Sequence, residues 1–237
     1  TADIQSRRRL GLTATLVRED GMEGEVFSLI GPKRFDVPWK EIEAQGYIAP
    51  ADCVEVRVTL TDHERLTYAT AEQEDKYRSC ATTATKKNVV IALAKQHEDD
   101  QVLIIGQYIS QIDEIAAELA VPIIKGDTPV KEREELYGKF RSGEIKCLVV
   151  SKVANFSIDL PEASIAIQVS GTFGSRQEEA QRLGRILRPK SDGRSARFYS
   201  LVARDTIDQD FAQNRQRFLA EQGYSYRIID ADEVLPR

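Results

Sequence analysis

The chain has 237 residues, 41% hydrophobic and 30% charged, with a net charge of -5. That is enough chain for one large domain, or for one domain and part of another, and the acidic balance argues against a wholesale basic footprint for nucleic acid. No apolar run approaches the roughly 18 residues of a membrane-spanning helix and no signal-peptide pattern opens the chain. Cys53, Cys80 and Cys147 form no C-x-x-C pair, which argues against a disulfide framework or a zinc site, so the expectation is an intracellular protein with reduced thiols, no metal and no membrane contact.

In chain order, "RRRLGLTATLVRED" (7–20) opens with a buried-looking strand that has nothing before it to pair with. The turn-rich "EAQGYIAPAD" around Gly46 and Pro50 is the strongest boundary candidate, dividing the chain into 1–45 and 46–230 with a tail at 231–237. "VEVRVTL" (54–60) alternates apolar and polar residues, the pattern of a half-exposed strand. Residues 62–97 are polar, Ala-rich and helical in pattern, an acidic "EQED" preceding Lys76, Arg78, Lys86 and Lys87, and the plain expectation is a solvated helical hairpin with His63 and His97 on its surface.

From residue 101 onward, strands and amphipathic helices alternate. "VLIIGQY" (102–108) is a buried strand, followed by a helix starting at Ser110 with Ile112, Ile115, Ala116 and Leu119 on one stripe. A short strand "VPII" (121–124) leads to a helix with Thr128 as N-cap, Pro129 in its first turn and Gly143 at its C-terminus. "KCLVVS" (146–151), "SIAIQVS" (164–170) and "RFYSLV" (197–202) are further strands, and residues 205–221 form a closing helix. This alternation implies an α/β fold, a parallel sheet covered by helices on both faces.

Between the last two strands lies "GSRQEEAQRLGRILRPK" (174–190), within a stretch from Arg176 to Arg197 that carries seven basic residues against three acidic. On a helix starting at Ser175, Gln181, Arg182, Arg185 and Arg188 fall within about 120° of one another, opposite Leu183, Ile186 and Leu187. The plain alternative is a solvated face stitched to Glu178 and Glu179. Three arginines, whose planar forks match phosphate oxygens, and the mid-helix Gly184 favour an anion instead. Yet no G-x-x-x-x-G-K-[ST] loop occurs to hold a nucleoside triphosphate, and "RIIDADEV" (227–234) only mimics a strand ending in magnesium ligands.

"LGLTATLVRED", "IGQYISQIDEIAAEL", "KGDTP", "VVSKVANFSIDLPEA" and "GSRQEEAQRLGRILR" together resemble the XPB family of superfamily 2 DNA helicases, in the family's order and over nearly the whole chain. What they resemble is the C-terminal half, a RecA-like second lobe with a thumb-like insertion at about 62–97. The resemblance implies that the phosphate-binding loop and D-E-x-H box lie upstream of Thr1. It implies coupling of hydrolysis to DNA movement by Thr13, Ala14 and Thr15, and action at the duplex junction by Arg18, Glu19 and Asp20. DNA contacts follow at Gly106 and Gln107, at Lys125, Gly126 and Thr128, and at Ser151 and Lys152. Nucleotide contacts fall to Asp159, Gln181 and Arg182, with Arg185 and Arg188 as arginine fingers.

The segment Asn155-Phe156-Ser157-Ile158-Asp159 replaces the A-R-G-x-D of many helicases, fitting this family while weakening transfer from others. The implied activity is ATP hydrolysis driving 3'-5' translocation or duplex opening in DNA repair and transcription-linked DNA opening. ATP with Mg2+ is held mainly by the upstream lobe. Implied partners are DNA, that lobe, and a repair nuclease or a transcription factor IIH-like assembly. The implied location is the cytoplasm and nucleoid of a prokaryote, which is favoured, or a eukaryotic nucleus. A non-catalytic nucleic-acid or protein-binding module with a helicase-like fold stays open as the alternative.

Overall fold

A computed structural model of the chain describes residues 8–12, 23–47, 49–151, 163–171 and 195–236. Their centre is a seven-stranded sheet, with strands numbered along the chain: β1 (Ala51–Val58), β2 (Val102–Gly106), β3 (Ile123–Ile124), β4 (Cys147–Ser151), β5 (Ile165–Gln168), β6 (Ala196–Ala203) and β7 (Tyr226–Asp230). The order is β3-β4-β2-β5-β6-β1-β7, and every ladder is parallel. The described helices are α1 (Glu23–Ile30), α2 (Trp39–Ala44), α3 (Asp62–Thr70), α4 (Lys76–Ala81), α5 (Ala84–Gln96), α6 (Ile109–Leu119), α7 (Val130–Arg141) and α8 (Ile207–Glu221), with a 3-10 turn at Ala231–Glu233.

Parallel strands covered on both faces must be apolar at every position, and β2 is buried along its whole length. Its Val102 and Ile104 join Val89, Val90 and Leu93 of α5 and Ile112 and Ile115 of α6 on one face. Leu103 and Ile105 meet Tyr137 and Phe140 of α7 on the other, where Trp39 of α2 and Leu219 of α8 complete the cover over Phe198 of β6. Among the described residues no helix is long and apolar enough to cross a membrane.

The expected strands and helices from residue 102 onward that fall on described residues are present within a few residues, while the helix expected from Ser175 lies outside the described residues. The helix expected from Thr128 begins at Val130, and Gly143 follows it with a φ of 77°. A left-handed glycine there ends a helix at little steric cost.

Five expectations give way. β1 is interior, between β6 and β7, and Glu55 at its centre is covered: it is 2% exposed, pairs with Arg57 at 2.6 Å and accepts a hydrogen bond from Gln216 at 2.5 Å. Residues 62–97 are helical, but only α3 has the solvated character expected; α4 and α5 contribute core residues. His97 is buried, its ring within hydrogen-bond distance of the Tyr199 hydroxyl (2.9 Å) and Asp100 (3.2 Å). The expected tail is packed, with Ala231 in the core and Val234 and Leu235 against it.

The last concerns the N-terminal side. Of the strand expected within 7–20, residue 7 and residues 13–20 lie outside the described residues; residues 8–12 are not strand, and Leu10 and Leu12 are 83% and 86% exposed. The packed unit also starts earlier than Gly46. The Trp39 backbone donates to Gln222 Oε1 at 3.1 Å, Tyr224 donates to Glu43 at 2.9 Å, and the Lys40 ammonium lies 4.5 Å from the Tyr224 ring centre.

Candidate functional site at the C-terminal edge of the sheet

Because all strands run one way, their C-terminal ends line a single edge, where open α/β sheets bind ligands. Gly106 is the ladder partner of Ser151, and Ile124 of Val150, so the ends of β2, β4 and β3 present Gly106, Ser151 and Lys125 in a row. Ile105 pairs with Gln168 on the other side, which brings the end of β5 into the same row. Residues singled out from three separate stretches of sequence are thus neighbours along one edge.

Each is held by local chemistry. A Cβ on Gly106 would lie 2.3 Å from Ile112 Cγ2, so only glycine lets α6 start this close to the strand end. The Gln107 N–H donates to Ser170 Oγ at 2.8 Å; that hydroxyl donates to Gln111 Oε1 at 3.1 Å, and Gln111 Nε2 donates to the Ala81 carbonyl at 2.7 Å. This chain of bonds ties the ends of β2 and β5 to α6 and α4. Ser151 is buried at the end of β4.

Residues 125–128 form a tight turn. Thr128 Oγ1 accepts the Lys125 N–H at 2.8 Å, the Thr128 N–H returns to the Lys125 carbonyl at 3.2 Å, and Arg133 of α7 donates to the Gly126 and Thr128 carbonyls at 3.3 and 3.1 Å. Thr128 therefore closes the turn instead of capping α7. The Lys125 ammonium sits 3.2 Å from Asp113, both side chains partly exposed, a contact worth little in high dielectric and open to exchange for another anion.

The other half of the edge is built differently. Lys86, fully buried in α5, meets Asp208 at 2.6 Å, and Arg215 reaches the other oxygen of Asp208 at 3.4 Å. Burial alone would raise the Asp208 carboxyl, but Lys86, Arg215 and the Ala203 N–H (2.9 Å) together hold it below the usual carboxylate range. Beside this triad the Tyr77 hydroxyl donates to the Gly171 carbonyl at 2.8 Å and accepts the Gly171 N–H at 3.0 Å. Burial, with the nearby Asp208 charge, pushes the Tyr77 phenol far above its ordinary range and keeps it protonated for that donation.

Sequence reasoning grouped Lys86 with surface cations and passed over Tyr77, Asp208 and Arg215. One signal was present: Lys86, Val89, Val90, Leu93 and His97 follow the spacing of a single helix face, and all five are buried. Of the other cations in that group, Lys76 donates to the Tyr68 and Ala69 carbonyls and Lys87 pairs with Glu114 and Glu118. Among the described residues no group of three His, Cys, Asp or Glu side chains could hold a metal ion. Thr13, Ala14, Thr15, Arg18, Glu19, Asp20, Lys152, Asp159, Gln181, Arg182, Arg185 and Arg188 lie outside the described residues.

Residues 42–235 match the family model described as ERCC3/RAD25/XPB C-terminal helicase. The chain is 72% identical over 234 residues to a DNA 3'-5' helicase XPB of Kineococcus radiotolerans, covering 99% of this chain and 42% of that protein. It is 68% identical over 235 residues to the DNA 3'-5' helicase XPB of Mycobacterium tuberculosis, again covering 99% of this chain and 43% of the other. The chain therefore spans well under half the length of these relatives. In fold it is similar to Saccharomyces cerevisiae Dbp5 bound to RNA and ADP BeF3, with a TM-score of 0.62 and 17% identity over 92% of this chain and 50% of the other, a likeness that extends to the RecA-like architecture alone.

Proposed function

Because the chain belongs to the ERCC3/RAD25/XPB C-terminal helicase family, we propose that it is the second RecA-like lobe of an ATP-dependent 3'-5' DNA helicase or translocase that acts in DNA repair. The observation that supports this best is the row of strand ends, which sets Gly106, Gln107, Lys125 and Ser151 side by side on the ligand-binding edge. In this reading one DNA strand runs along that edge. Its backbone takes the Lys125 ammonium from Asp113 and meets the exposed tip of the 125–128 turn, with Lys152 adding a second cation.

The nucleotide lies between this lobe and its upstream counterpart. Arg185 and Arg188 act where negative charge grows on the γ-phosphate, a contribution on the order of 10³ to 10⁵ in rate. Gln181, Arg182 and Asp159 orient the nucleotide from this side. Mg2+ travels with ATP, held mainly by the upstream lobe. Closing and reopening of the two lobes alternates the grip on DNA, with residues 13–15 coupling hydrolysis to that movement and residues 18–20 acting at the duplex junction.

The test uses the full-length protein. Arg185→Ala or Arg188→Ala lowers kcat by about 100-fold or more and leaves ATP binding within a few-fold, because the fingers act mainly in the transition state. Collapse of ATP affinity with kcat intact would make these arginines ground-state binders and return the chain to the class of binding modules.

A further inference from the structure

We propose that Tyr77, Lys86, Asp208 and Arg215 form a positioning network that fixes the end of β5 and the place of Gly171, the residue that precedes the arginine-rich stretch 172–194 in the chain. The proposal rests on the finger reading of Arg185 and Arg188 and adds to it four residues that touch neither nucleotide nor DNA.

Two locks converge on residues 169–171. The first is Lys86, whose ammonium donates to the Val169 carbonyl at 3.3 Å, the Leu201 carbonyl at 3.0 Å and Asp208 at 2.6 Å. All three of its donors are used, and they tie the ends of β5 and β6 to one point. Asp208 extends that tie to the last residue of β6 through the Ala203 N–H and to α8 through Arg215. The second lock is Tyr77, which holds both backbone polar groups of Gly171 with a single hydroxyl. Its ring is set by Phe211 of α8, edge-on at 5.1 Å between centroids, and by Tyr108 at 6.2 Å.

Gly171 joins the two locks. A Cβ there would stand 2.6 to 2.7 Å from the Arg215 guanidinium, so the backbone lies directly on the side chain that completes the triad. Tyr77, Lys86, Asp208 and Arg215 are each 3% exposed or less.

Stability alone does not call for this arrangement, since apolar residues of similar volume commonly serve a core as well as buried ion pairs do. What directional bonds add is a fixed place for the atoms they hold. Fingers that act in a transition state need such a place, because a displacement of about 1 Å far from the chemistry can cost on the order of 100-fold in rate. The network supplies it at the strand end immediately before the arginine segment, drawing on α4, α5 and α8 at once.

Tyr77→Phe removes the hydroxyl and keeps the ring. In the full-length protein it is expected to lower kcat for DNA-stimulated ATP hydrolysis about tenfold, with the KM for ATP within about twofold. Phe140→Leu, on the opposite face of the sheet, serves as the stability control: it lowers Tm at least as much and keeps kcat. The proposal is overturned if Tyr77→Phe retains kcat within about twofold, or if Phe140→Leu lowers kcat equally. Arg185→Ala in the same assay separates the two readings. A large loss with Arg185→Ala and none with Tyr77→Phe removes the network alone, whereas no loss with Arg185→Ala removes the finger reading and the network's role with it.

Discussion

The two halves of the sheet's C-terminal edge use opposite electrostatics. Along β3, β4 and β2 the charges are at the surface, as in Lys125 with Asp113, and each can trade its partner for another at little cost. Along β5 and β6 the charges are sealed from water, Lys86 and Asp208 showing no exposed side-chain surface. Exchange there would strand a bare ion in low dielectric. On the proposed reading, the first half lets go of its partners as a lobe that steps along a polymer must, and the second keeps its geometry through every step.

The sharpest way to break the contrast is to remove the shared carboxylate. Asp208→Asn leaves Lys86 and Arg215 facing each other without a counterion, and the expected loss is about 3 to 5 kcal/mol, seen as a Tm lower by roughly 10 °C. A loss below about 1 kcal/mol, the range of surface pairs, would erase the distinction between the halves.

The same carboxylate gives a pH signature. Its folded-state pKa is depressed, so its contribution is fully present above the ordinary carboxylate value of about 3.9 and is lost as pH falls through the lower folded value. Urea midpoints for wild type and Asp208→Asn should differ by a constant amount from about pH 5 to 7 and converge in more acid solution. Parallel curves down to the acid limit would mean that the triad does not stay ionised as described.

The smallest effect on stability belongs to the exchangeable half. Lys125→Ala combined with Lys152→Ala should change stability by no more than about 0.5 kcal/mol. In the full-length protein the same pair should weaken single-stranded DNA binding without sequence preference and reduce the salt slope by about one unit per lysine. An unchanged slope would place the DNA path elsewhere.

What the sequence revealed and what it hid divide along similar lines. β2, α6 and β4 were legible because their burial is written in local runs such as "VLIIG" and the Ile112, Ile115 stripe. Glu55 and Lys86 were misplaced in solvent because their partners, Gln216 and Asp208, lie 161 and 122 residues away, beyond the reach of any periodicity. The row of strand ends was implied once a parallel sheet was expected, while the order of its strands was not. Tyr77 carried no local mark, since an aromatic in a polar helix usually signals only packing, and its bonds to Gly171 cross 94 residues.

The order of the strands also governs how the chain can be made. β1 is the first of the described strands to leave the ribosome, yet its neighbours are β6, paired about 145 residues later, and β7, later still. Loop closure over such distances is slow, and until it happens the valines of β1 and the helices beside it wait without their sheet. This lobe therefore cannot close until residues 226–230 have been made, and its assembly is governed by the last described strand to arrive.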